Sequence, residues 1–84
     1  MKEMSMKKKL DYREYPKPSG YRSGCKVSWY YYHDRANADK AAAAAKHNAV
    51  IQAGLGFDFG YQAPGSIHKA EGGDNAGMWE VCIP

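Results

Sequence analysis

Five consecutive alanines, Ala41 to Ala45, constrain this 84-residue chain more than any other feature. Alanine has the highest intrinsic helix propensity, so the run favours a helix and gives it a thin side. Ala38, Ala41, Ala42, Ala45 and Ala49 recur at helical spacing and line that side. A thin side lets a helix lie close to a bulky partner. The partner stands just upstream, where residues 27–32 read VSWYYY, an aromatic strand. Asp34 or Asn37 caps the helix, because both side chains accept hydrogen bonds from the unpaired N–H groups of a first turn. Asp39 lies near the positive helix end, and Gly54 or Gly56 closes the other end in a left-handed conformation.

Alternation assigns faces to the strand Cys25 to His33. Val27, Trp29, Tyr31 and His33 share one face; Lys26, Ser28, Tyr30 and Tyr32 share the other. Lysine and serine mark the second face as the wetter one. The odd face is therefore expected in the core, and Tyr30 and Tyr32 on the outside. Downstream, Leu55, Phe57, Phe59 and Tyr61 alternate with Gly56, Asp58, Gly60 and Gln62, the period of a strand. Residues 63–66 are a turn, Ile67 to Glu71 a short strand, and 72–77 (GGDNAG) a polar hairpin loop. Met78 to Ile83 is a last strand with Trp79, Val81 and Ile83 inward. The expected architecture is α+β: a single β-α-β-β-β domain at 25–84, with one Ala-rich helix packed on a mostly antiparallel sheet.

Residues 1–24 read as an extended, partly disordered basic arm, punctuated by Pro16, Pro18, Ser19, Gly20, Ser23 and Gly24. A short strand around Leu10 to Tyr15 is one option within it. Charge is uneven. Residues 1–26 carry eight Lys and Arg against three acids, and the remainder carries four against six. A basic arm on a slightly acidic body is either a solvated tail or a contact for nucleic acid or an acidic protein.

Site chemistry is sparse. Cys25 and Cys82 fall on opposite faces by parity, so no disulfide is expected. No spacing of His33, His47, His68 and the two cysteines forms a metal motif, so neither metal nor other cofactor is expected. Leu10 opens no apolar run, so no signal peptide is expected, and no segment is long enough to span a membrane. A cytoplasmic location with reduced thiols follows as the expectation. Gly54 to Gly60 is glycine-rich, but its glycines close a helix rather than open one, as a phosphate loop requires. The tripeptide Asp58-Phe59-Gly60 sits in a chain far too short for a kinase. No nucleophile, base and orienting group are set out together, so the expected function is not enzymatic.

What remains is tyrosine, seven copies in a chain with two Trp and two Phe. Tyrosine dominates interface hot spots. Tyr30, Tyr32 and Tyr61, with Arg22 and Lys26 leading into them, are the candidate binding residues. The favoured partner is a protein, or another copy of this chain. The alternative is nucleic acid, its phosphates held by the arm and its bases stacked on exposed Tyr or Trp.

Five stretches from Val27 onward also resemble small proteins encoded by bacteriophages and prophages. They are residues 31–36 (YYHDRA), the alanine run with 46–49 (KHNA), 56–61 (GFDFGY), 64–67 (PGSI) and 78–81 (MWEV). The resemblance implies a non-enzymatic accessory protein that binds a host or phage protein, including inhibition of a host defence system. It transfers no site residue.

Overall fold

A computed structural model describes residues 11–84. The elements are β1 (Gly20–Ser23), β2 (Ser28–Tyr32), α1 (Arg35–Gly54), β3 (Ile67–Lys69) and β4 (Trp79–Ile83). The strands form one antiparallel sheet in the order β1-β2-β4-β3, with α1 across one face. The domain is α+β, as the sequence predicts, but two of its elements differ from expectation.

The helix begins and ends on local chemistry. Asp34 takes an extended conformation and its side chain accepts from the Ala36 N–H at 3.2 Å, so Asp34 and not Asn37 is the cap. At the other end Gly56 adopts φ +101°. Its N–H donates to Ala53 O and that of Phe57 to Gln52 O, each at 3.0 Å, a Schellman closure.

The predicted strand over Leu55 to Gln62 is absent. Two glycines in left-handed conformations, Gly56 and Gly60, turn the chain there. The Asp58 side chain accepts from Gly60 N–H at 2.9 Å, and Gln62 N–H donates to Phe59 O at 3.1 Å. The large-small alternation was turn chemistry, with glycine and aspartate placed for their backbone needs. The fourth strand is instead β1, which pairs with β2 from Gly20↔Tyr31 to Ser23↔Ser28. The boundary expected after residue 24 therefore cuts through a hairpin. Of the optional strand at Leu10 to Tyr15, Leu10 lies outside the described residues, and residues 11–15 are not a strand.

The parity of β2 is the reverse of the sequence reading. Tyr30 and Tyr32 face the helix, with Val81 and Trp79 as their cross-strand partners. Tyr32 is 2% exposed, in a core with Ala38, Ala41, Ala42, Ala45, Val81 and Ile83. The misleading residue is Lys26. It lies outside the strand, in a turn at φ +73°, and so says nothing about either face. In β4, Trp79, Val81 and Ile83 do point to the helix side.

The helix packs chiefly on β4, with β2 and β3 beside it, and does not reach β1. One helix about 10 Å wide cannot cover four strands spaced about 4.8 Å apart. Tyr15 and Pro16 cover the neighbouring part of β2, while most of β1 stays exposed. Tyr15 meets Tyr30 edge-on at 5.6 Å between centroids, and Tyr21 flanks Tyr30 at 5.8 Å. The Tyr32 hydroxyl donates to Pro16 O at 2.7 Å. Asn48, buried on α1, fixes the strap from the helix side: it accepts from Arg13 N–H at 2.6 Å and donates to Arg13 O and the Tyr15 hydroxyl, both at 2.8 Å. The segment is extended, but it is a structural layer.

Candidate functional site

The five candidate residues do not share one surface. Tyr32 is core. Its hydroxyl is pushed up to about 12 by burial, reinforced by Tyr30 and Tyr15. Tyr30 is half-buried between Tyr15 and Tyr21. Arg22 lies on the opposite sheet face, across from Trp29, its guanidinium 5.3 Å from the indole centroid. Lys26 and Tyr61 are both exposed and close in space: the Lys26 ammonium lies beside Gly60.

Those last two mark one end of the molecule. The helix runs back from the end of β2, so its C-terminus and the loop after it lie near the β1–β2 turn. That turn is closed by Gly24 N–H to Val27 O at 2.8 Å and exposes Cys25 and Lys26. Val50, Leu55 and Phe57 are each more than half exposed here, and Tyr61 fully so. Four large apolar side chains within twelve residues of chain are unusual for so small a surface. Sequence reasoning took Tyr61 from this stretch but not Leu55 and Phe57, because it read residues 55–62 as a strand, and it passed over Val50, which lies in the helix. The signal that separates the readings is Asp58 two residues before Gly60, the signature of a side-chain-capped turn.

A second feature lies on the sheet face away from the helix. A cleft of about 630 Å³ opens between that face and the loop after β3. Arg22, Tyr31, His68 and Glu80 line the sheet side; Glu71, Asp74 and Asn75 line the loop side. The Tyr31 hydroxyl donates to Glu80 Oε2 at 2.7 Å and accepts from Arg22 Nε at 3.1 Å. Arg22 Nη2 reaches the same Oε2 at 3.4 Å. Burial pushes the Tyr31 hydroxyl up, and the bond to Tyr31 holds the Arg22 guanidinium above its ordinary value.

The cysteines are both free: Cys25 exposed in the hairpin turn, Cys82 buried in β4 with its thiol pushed up by burial. Cys25 is thus in a turn rather than on the strand face where parity put it. Among the described residues, no group of three His, Cys, Asp or Glu side chains could hold a metal ion, and no helix is long and apolar enough to cross a membrane. The hydrogen bonds among these residues join no histidine to a carboxylate, hydroxyl or thiol; His47 bonds the Asp11 carbonyl at 3.1 Å. The chain matches no protein-family description, no curated protein and no solved structure.

Proposed function

We propose that the chain is a non-enzymatic accessory protein of the phage type, which docks on a host or phage protein through its apolar end. Val50, Leu55, Phe57 and Tyr61 supply the contact area, and Lys26 and Asp58 supply its charged rim. Acting on a component of host defence in the host cytoplasm fits this reading, because a small domain can inhibit simply by covering a surface. The observation that carries it is the exposure of those four side chains on consecutive turns of loop and helix end. Large exposed apolar patches mark interaction surfaces, and the aromatics Phe57 and Tyr61 are of the class enriched at protein interfaces.

The alternative, nucleic acid, loses support from the tryptophans. Trp79 carries Arg35 at 4.6 Å and Lys69 at 4.3 Å from its ring centroid, and Trp29 carries Arg22. Rings engaged by the protein's own cations are poorly placed to stack on bases.

Affinity capture from host lysate tests the proposal, comparing the wild type with a Phe57→Ser/Tyr61→Ser variant. A protein retained by the first and lost by the second is expected. No difference between the two eluates would count decisively against it.

A further inference from the structure

The geometry points to the cleft on the open sheet face as a binding site for a neutral, polyhydroxylated ligand, with Glu80 and Arg22 reading a vicinal diol. The site is independent of the docking end, since it lies on the far side of the sheet from the helix.

Size and lining select the ligand class. A volume of about 630 Å³ suits a small molecule. Polar groups make up the larger part of the lining, with Arg22, His68, Glu71, Asp74, Asn75 and Glu80 among them, so a purely apolar ligand would leave them unpaired. An anion would face Glu71, Asp74 and Glu80; a cation would face Arg22. Lys69 also borders the cleft, but its ammonium sits over Trp79 at 4.3 Å. Hydroxyl groups both donate and accept, so a neutral polyol can satisfy both signs of wall.

The floor is anchored at Tyr31 and Glu80 and partly unspent, with the Arg22 side chain reaching over it about half exposed. Tyr31 is 3% exposed, and its hydroxyl ties Glu80 to Arg22. Both bonds to Glu80 fall on Oε2, and the 3.4 Å approach of Arg22 Nη2 is long for a charged pair. Among the described residues, Glu80 Oε1 and Arg22 Nη1 have no partner. A carboxylate oxygen beside a guanidinium nitrogen matches two neighbouring hydroxyls: one donates to Oε1 and the next accepts from Nη1. On the loop side there is open space: nothing lies within 4 Å of where a side chain would project from Gly72 or Gly73. An anchored floor limits the ordering cost of binding.

Nitrogen-15 NMR titration of the full chain tests this with four probes: adenosine, 2′,3′-dideoxyadenosine, methyl α-mannopyranoside and spermidine. Saturable shifts at the Gly72, Gly73 and Asn75 amides and at Arg22 Nε are expected with a diol-bearing probe. The dideoxy analogue should give none. Response to adenosine alone assigns the diol to a ribose, to the mannoside alone to a saccharide, and to both to the diol itself. Glu80→Gln should weaken binding about tenfold, the usual effect of losing a charged hydrogen bond. Equal binding of the dideoxy analogue, shifts with spermidine only, or no saturable shift with either diol would each overturn the proposal. The analogue comparison needs no variant, so it stands even if Glu80→Gln does not fold.

Discussion

The Asn48 side chain pairs with both main-chain groups of Arg13, accepting from its N–H at 2.6 Å and donating to its carbonyl at 2.8 Å. A helix side chain here does the work of a neighbouring strand. It gives an extended segment the two bonds that its backbone requires once it is packed against the core. The same amide also donates to the Tyr15 hydroxyl.

Asn48→Ala therefore strips three partners at once. We expect a loss of about 2 kcal/mol, since buried polar groups left unpaired cost on the order of 1–3 kcal/mol. Trypsin should cut after Arg13 in the variant under native conditions that spare the wild type. Urea denaturation and limited proteolysis measure the two effects, and an intact strap in the variant would refute the clamp.

Alkaline stability should track Tyr32. Its hydroxyl moves from an ordinary value of 10.0 to about 12 in the folded chain. Below the ordinary value both folded and unfolded chains keep the proton, so stability is at its full level. Between that value and about 12 only the unfolded chain releases it, and stability falls as pH rises. Tyr15 and Tyr31, also raised by burial, act in the same direction. The contribution of Tyr32 is about 3 kcal/mol across the window. Tyr32→Phe should flatten the alkaline limb of a stability-against-pH curve while lowering its plateau slightly; a limb of unchanged slope would contradict the assignment.

The thin side of the helix makes a sharp pair of opposites. Ala41 and Ala45 are fully buried against the sheet, whereas Ala43, in the same run, is exposed. Ala41→Leu or Ala45→Leu should destabilise by about 1–3 kcal/mol through overpacking. Ala43→Leu should change stability by no more than about 0.5 kcal/mol. Equal midpoints in urea for all three would show that the helix does not pack as closely as described.

At the apolar end the expectation is the reverse of a core. Phe57→Ser and Tyr61→Ser should leave the thermal midpoint nearly unchanged, because exposed side chains outside special features shift stability by about 0.5 kcal/mol or less. They should lower binding of a hydrophobic dye. A marked fall in the midpoint would mean that the loop is structural.

The helix and β4 were legible from the sequence because each rests on a local signal. Asp34 and Gly56 bracket a run of alanines, and Trp79, Val81 and Ile83 alternate with residues that differ from them. The faces of β2 were not legible. Ser28 to Tyr32 is aromatic on both sides, since Tyr31 fills the far face as fully as Tyr32 fills the near one. Periodicity carries no information where both faces are buried. β1 was hidden for a different reason: Gly20 to Ser23 has no apolar pattern and is a strand only because β2 offers it an edge. Of the candidate binding residues, Lys26 and Tyr61 are brought near one end, whereas Tyr32 was assigned outward by the same reversed parity.

The order β1-β2-β4-β3 has a kinetic consequence. Each outer strand pairs with its neighbour in sequence, but the two hairpins are joined through the β2–β4 seam, which runs from Ser28 opposite Ile83 to Tyr32 opposite Trp79. The helix and both loops beside it must be closed off as one large ring before that central seam forms, and the entropy of closure comes before any contact repays it. The helix and the first hairpin form on the microsecond scale by themselves. The seam therefore sets the pace of folding. Substitutions at Tyr30 or Val81, which face each other across it, should slow folding, while those at Asn48, which ties down the strap, should mainly speed unfolding.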